Sequence, residues 1–249
     1  MRSERIAAWL RQQADAASAR GFIFGMSGGI DSAVVARLCQ LAMPGRAFGV
    51  VMPCYSNPQD EADAMLAAEA SGLPLARVDL SSAYDAIVMD IDAASAEGAR
   101  HGFDTDAARV KMAHANVKPR LRMTTLYTMG TAAGLLVVGT GNRSEIAIGY
   151  YTKYGDGGVD LLPIGALVKR EVRELAVELN VPEPIISKPP SAGLWTGQTD
   201  EGEMGFTYDE LERFLDSGPD SVAPETAARI QHLIDISAHK RALPPVGPR

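Results

Sequence analysis

A chain of 249 residues with 46% hydrophobic and 22% charged residues is ordinary for a globular protein and long enough for one large α/β domain, expected to span residues 1–249. Its net charge of −7, with Lys and Arg scattered rather than clustered, argues against a nucleic-acid surface, and no apolar run approaches a membrane span. The charged start Met1-Arg2-Ser3-Glu4-Arg5-Ile6 does not resemble a secretory signal. With only Cys39 and Cys54, neither in a Cys-x-x-Cys pair, reduced thiols and a cytoplasmic protein are expected.

In chain order, Ile6, Leu10 and Ala14 recur at helical spacing and predict an amphipathic helix over 3–19. A short apolar run, Gly21-Phe22-Ile23-Phe24, then breaks into Gly25-Met26-Ser27-Gly28-Gly29-Ile30-Asp31-Ser32 before apolar residues resume at helical spacing. Strand, tight loop and helix is the arrangement that cradles phosphate, because glycines let backbone N–H groups approach an oxyanion and hydroxyls add donors at the positive end of a helix. Asp31 would repel phosphate there unless a divalent cation bridged the two, so it reads as a magnesium ligand. No Gly-Lys-Ser or Gly-Lys-Thr occurs, which leaves a Walker loop without support.

Strands are predicted over 47–53 and 74–80 with an Ala-rich helix over 60–71 between them, the alternation of right-handed parallel crossovers. Asn57-Pro58-Gln59-Asp60-Glu61 follows the first of these strands, where ligand loops gather, although Asp60 reads better as a helix N-cap. A helix over 84–93, a surface loop over 95–104 and a long helical stretch over 106–133, broken near Pro119, come next. Leu135 to Thr140 reads as a buried parallel strand running into Gly141-Asn142-Arg143-Ser144-Glu145. Tyr150, Tyr151 and Tyr154 flank a Gly-Asp-Gly-Gly turn, either a strand edge or an aromatic platform. A helix over 167–179 starts with Lys169 and Arg170, cations that the helix dipole disfavours there and that therefore favour an anionic partner. Residues 187–205 mix breakers with polar residues and read as a long loop of the kind that forms lids, followed by helices over 208–215 and 224–239. The four histidines show no metal spacing.

Ser-Gly-Gly-Ile-Asp-Ser after a strand resembles the pyrophosphate loop of the N-type ATP pyrophosphatases, which cleave ATP between the α and β phosphates. With Thr140 and Glu145, Thr-Lys-Tyr-Gly-Asp-Gly-Gly, Asp-Leu-Leu-Pro, Lys-Pro-Pro-Ser-Ala-Gly-Leu-Trp and His-Lys-Arg in the same order, the chain resembles the NAD synthetases from about Gly21 to Arg241. The resemblance implies a doubly wound, mainly parallel sheet with helices on both faces, of the adenine nucleotide alpha hydrolase-like kind. It implies a ligase that adenylates deamido-NAD with ATP, displaces AMP with ammonia and releases pyrophosphate. It places ATP on Gly25 to Ser32, Thr140, Lys169 and Ser191, magnesium on Asp31 and Glu145, and deamido-NAD on Arg120, Lys153, Asp160, His239 and Lys240. It also implies a homodimer. Pro119 and Asn142-Arg143-Ser144 depart from frequent family variants.

No segment is left for a fused glutaminase, so free ammonia is the expected nitrogen donor, with a separate glutaminase subunit as the alternative. Two other readings are a different ATP pyrophosphatase, which should lack the tyrosine–lysine turn or add cysteines and a basic RNA face, and a non-catalytic nucleotide binder, which has little need of two magnesium carboxylates.

Overall fold

Phe22 and Phe24 point to one face of the first strand and Ile23 to the other, and all three are buried, so this strand must be covered on both sides. In the computed structural model, which describes residues 1–191 and 199–248, it is strand β1 (Gly21–Gly25). It lies inside a four-stranded parallel sheet with β2 (Ala47–Val51), β3 (Leu75–Arg77) and β4 (Leu135–Val137), in the order β3-β2-β1-β4. Phe22 registers with Ala47 on one side and with Leu136 on the other. The chain winds outward from β1 through β2 to β3 and then returns to the opposite edge of β1. The crevice where a doubly wound sheet takes its ligand therefore opens beyond the carboxyl ends of β1 and β4.

One layer consists of α1 (Arg2–Ala16), α2 (Ile30–Ala42), α3 (Pro58–Ser71), α8 (Lys169–Glu178) and α9 (Glu183–Ile186), whose apolar residues pack with Phe22 and Phe24. Leu80 and Tyr84 at the start of α4 (Ser81–Ala99) and Leu121, Leu126 and Tyr127 of α6 (Val117–Ala133) cover Ile23, Val50 and Val137 on the other face. Between them, α5 (Ala107–Ala115) leads into α6. A third cluster joins Ile148 of α7 (Arg143–Ile148), Met204 of α10 (Asp200–Met204), Tyr208, Leu211 and Phe214 of α11 (Tyr208–Ser217) and Ile230 of α12 (Pro224–Ile236).

Several boundaries differ from the sequence expectation. The helical stretch over 106–133 is two helices as expected, but the break falls at Asn116 and Pro119 sits in the first turn of α6, where a missing N–H leaves no intrahelical bond unmade. The expected loop over 95–104 is helix as far as Ala99, since Ala93, Ala94, Ala96 and Ala99 outweigh Gly98. Within the expected loop over 187–205, Thr199 caps α10 by accepting from the Gly202 N–H; the central part, residues 192–198, lies outside the described residues. Both cysteines are buried and free. No helix among the described residues is long and apolar enough to cross a membrane.

Candidate active site

At the carboxyl end of β1 the chain turns through Met26 to Gly29 into α2. Gly28 has φ +78°, and a Cβ there would lie 2.3 Å from the Asp60 carbonyl oxygen, so both backbone conformation and space demand glycine. The loop is knitted from within: the buried Ser32 hydroxyl donates to the Gly29 carbonyl at 2.9 Å and accepts from the Ser27 N–H at 3.3 Å. Asp31, in the first turn of α2, then faces the crevice.

From the neighbouring strand β4, Gly139 to Gly141 lead into α7. Asn142 caps that helix by accepting from the Glu145 N–H at 3.1 Å, while the Glu145 carboxylate accepts from the Asn142 N–H at 3.2 Å. The same Asn142 side chain, fully buried, donates to Asp31 Oδ1 at 3.0 Å. One residue thus ties the two strand-end carboxylates together, Glu145 through its backbone N–H and Asp31 through its side-chain amide. The Asn-x-x-Glu spacing is the sequence signal for this cap, in a stretch that the sequence marks only as a departure from frequent family variants.

The third partner comes from α8. Lys169 Nζ, only 2% exposed, donates to Asp31 Oδ2 at 2.5 Å and to Glu145 Oε1 at 3.4 Å, while the two carboxylate side chains are each 17% exposed. The anionic partner expected for a cation at a helix start is therefore this carboxylate pair. Burial pushes the Glu145 carboxyl upward against the pull of Lys169, and Asp31 pushes in the same direction as burial. Lys169 is held charged, its two carboxylates outweighing desolvation. Tyr208 completes the floor: its ring lies 5.2 Å from Lys169 Nζ, and its hydroxyl donates to Asp200 at 2.8 Å and reaches Glu145 at 3.5 Å. Asp200 is 4% exposed, and its Oδ1 has no hydrogen-bond partner among the described residues. No sequence signal singled out Tyr208 or Asp200.

Among the described residues no three His, Cys, Asp or Glu side chains converge as a complete metal cage. Two carboxylates gathered on one ammonium nevertheless fit a hard divalent ion that takes one or two protein carboxylates and completes its shell with substrate phosphates and water.

The residues expected around the dinucleotide form a separate, more open rim. Lys153 Nζ donates to the His239 carbonyl at 2.7 Å, and Arg120 Nη2 reaches the Lys153 carbonyl at 3.5 Å. Lys240 Nζ donates to the carbonyls of Gly149 and Tyr151 at 2.7 and 2.6 Å. Asp160 accepts from the Tyr127 hydroxyl at 2.9 Å and from the Val137 N–H at 2.8 Å, which fixes it at the end of β4. The three tyrosines do not form one platform: Tyr150 donates to Glu203, Tyr151 lies under Lys240, and Tyr154 is exposed beside Lys153. His239, Lys240, Gly149 and Tyr150 line a cavity of about 360 Å³. Thr140 stands in the β4–α7 turn, and Ser191 is exposed at the edge of the undescribed stretch.

A glycine- and serine-bearing loop beside an acidic helix start, meeting at the switch point of a parallel sheet, is the architecture of the adenine nucleotide alpha hydrolase-like proteins. The family model described as NAD synthase matches residues 2–244, and the chain belongs to that family. The NH3-dependent NAD+ synthetase of Carboxydothermus hydrogenoformans is 48% identical over 98% of this chain and 96% of its own length. The corresponding enzyme of Finegoldia magna is 44% identical over 96% and 92%. Among solved structures, an NMN synthetase from Francisella tularensis aligns with a TM-score of 0.89 at 35% identity, covering 99% of this chain and 97% of that one. The NH3-dependent NAD synthetase of Campylobacter jejuni aligns at 0.77 and 27%, covering 99% and 97%.

Proposed function

We propose that this chain amidates deamido-NAD to NAD with ATP and ammonia, releasing AMP and pyrophosphate. The observation that carries the reading is the meeting of the phosphate loop with Asp31, Glu145 and Lys169 in a member of the NAD synthase family. The nicotinate carboxylate attacks the ATP α-phosphate, the α–β bond breaks, and the acyl adenylate forms. Ammonia then attacks the activated carbonyl, a proton is lost, and AMP leaves. Neither half requires a protein nucleophile; the protein supplies alignment and opposing charge.

In this reading Gly25 to Ser32 hold the ATP phosphates, with Thr140 and Ser191 at the edges of the same crevice. Lys169 neutralises charge beside the breaking bond. Asp31 and Glu145 would hold magnesium, which neutralises the phosphates when bound. Arg120, Lys153, His239 and Lys240 receive the pyrophosphate and carboxylate of deamido-NAD, and Asp160 accepts from ribose hydroxyls.

Incubation with ATP, magnesium, deamido-NAD and either ammonium or glutamine tests the proposal. NAD, AMP and pyrophosphate are expected with ammonium and no NAD with glutamine alone. ADP and orthophosphate would remove the pyrophosphatase assignment, and equal turnover with glutamine would remove the ammonia assignment. The similarity to an NMN synthetase supports a second reading, in which the acceptor is the mononucleotide acid. Comparing kcat/KM for the mononucleotide and dinucleotide acids decides between them.

A homodimer built on α4 fits the surface. That helix buries none of its 19 residues, and Ile87 and Ile91, one turn apart on the same side, are 41% and 43% exposed. Ile87→Asp should convert a dimer to monomer in light scattering. An unchanged mass would place the interface elsewhere.

A further inference from the structure

Behind the phosphate loop lies a second charged cluster that the reaction scheme does not use. Asp60 stands in the first turn of α3, and Asp63 lies three residues on. Lys188, from the segment after α9, reaches both: its Nζ donates to Asp60 Oδ1 at 2.8 Å and to Asp63 Oδ2 at 2.5 Å. Gln59 adds a bond to the other Asp63 oxygen at 2.8 Å. The side chains of Lys188, Asp60 and Asp63 are 27%, 28% and 11% exposed, so the cluster is only partly screened by water.

Its place is what matters. The Cβ that Gly28 lacks would lie 2.3 Å from the Asp60 carbonyl oxygen and 2.9 Å from the Asp63 Cβ, so the loop rests directly on the turn that bears both carboxylates. Burial pushes the Asp63 carboxyl up, but the bonds from Lys188 and Gln59 outweigh it and hold it below the usual range. Carboxylates suit the positive start of a helix, and the same two charges oppose a polyphosphate on the other side of Gly28.

We propose that Lys188 is a positioning residue for ATP: by pairing with Asp60 and Asp63 it offsets one of the two negative charges beneath Gly28 and leaves the phosphate loop more receptive to a polyanion. The inference rests on the reading that ATP phosphates occupy Gly25 to Ser32. Lys188 lies three residues before Ser191, so the same ion pairs fix the start of the segment expected to reach the nucleotide.

The test is binding of α,β-methylene-ATP with magnesium, measured by calorimetry, together with steady-state kinetics. Lys188→Met should raise Kd and the KM for ATP about tenfold, the cost of uncompensated like charge beside a ligand, while kcat at saturating ATP stays within about twofold. The difference should shrink as salt is added. Adding Asp60→Asn and Asp63→Asn to Lys188→Met should restore binding to about the wild-type value. The variant Asp60→Asn/Asp63→Asn, with Lys188 intact, should bind ATP at least as tightly as wild type and keeps the proposal testable if Lys188→Met does not fold.

A triple variant that stays weak would mean that Lys188 touches ATP directly, which overturns the proposal. Wild-type Kd in Lys188→Met, with or without a lower thermal midpoint, also overturns it, as does weakened binding in Asp60→Asn/Asp63→Asn. Failure of the wild-type chain itself to bind the analogue would instead remove the phosphate-loop reading.

Discussion

The knot at the strand ends and the rim around His239 both gather charge, but they do so in opposite ways. Lys169, Asp31 and Glu145 satisfy one another side chain to side chain, nearly out of water, across sequence separations of 138 and 24 residues. On the rim, Lys153 and Lys240 are held by backbone carbonyls, and Arg120 and His239 are exposed. A buried network whose charges cancel responds to a ligand by exchanging partners. An open row of cations anchored on neutral oxygens keeps its charge available for an anion.

The largest effect should follow from removing the cation at the centre of the knot. Lys169→Met leaves two nearly buried carboxylates without their counter-ion, and loss of one partner of such a pair costs about 3–5 kcal/mol. Denaturant unfolding of Lys169→Met should show a loss of this order, partly recovered by adding Asp31→Asn. A loss below about 1 kcal/mol, the value of a surface pair, would show that the knot is not the closed unit described.

Next in size are the carboxylates themselves. Asp31→Asn keeps the shape but removes the charge, and turnover at limiting magnesium should fall on the order of a hundredfold or more. Glu145→Gln should behave alike, and the double variant should be much less than multiplicatively worse, since both changes act on one network. Near-normal turnover in either single variant would exclude that residue as an ion ligand.

How much of this was legible in the sequence divides along the same line. The phosphate loop could be read because its chemistry is local: Gly28 and its neighbours follow an apolar strand within a few residues. The convergence of Asp31 with Glu145 followed from topology alone, as each lies just beyond a parallel strand. Lys169 showed only that it needed an anion, because a helix start says nothing of a partner 138 residues away. Tyr208 and Asp200 leave no sequence signal, and Lys188 stands out only as the first residue of the Lys-Pro-Pro-Ser motif with no role attached, since their roles arise where α10, α11 and the segment after α9 pack against the sheet end. Pro119 predicts a kink or a break before it, and the break falls three residues ahead at Asn116, which leaves the proline at ease in a first turn.

A smaller effect is expected at the segment between the knot and the phosphate-loop support. The Asp200 N–H donates to the Pro190 carbonyl at 3.2 Å, Lys188 holds one end of the segment and Tyr208 the other. If ATP and magnesium draw residues 187–205 over the crevice, amide exchange at Ser187 to Ser191 and Thr199 to Gly205 should slow roughly thirtyfold, the effect of about 2 kcal/mol of added closure. Unchanged exchange at both ends would remove the lid.

The smallest effects should separate two kinds of cation on the rim itself. Arg120 is exposed, and its bond to the Lys153 carbonyl is long at 3.5 Å, so removing it disturbs little of the protein. Lys240 is half-buried and serves two carbonyls at bonding distance; removing it takes the donor from the Tyr151 carbonyl, while the Gly149 carbonyl keeps the Tyr151 N–H at 2.9 Å. Arg120→Ala should therefore leave thermal stability unchanged and raise the KM for deamido-NAD about tenfold, the value of one charge-assisted bond to a phosphate or carboxylate. Lys240→Met should raise that KM and also cost about 1–2 kcal/mol in unfolding, because the unpaired Tyr151 carbonyl is a loss even without substrate. Equal stability of the two variants would mean that Lys240 holds the fold no more than Arg120 does, and the rim would then be a ligand surface throughout.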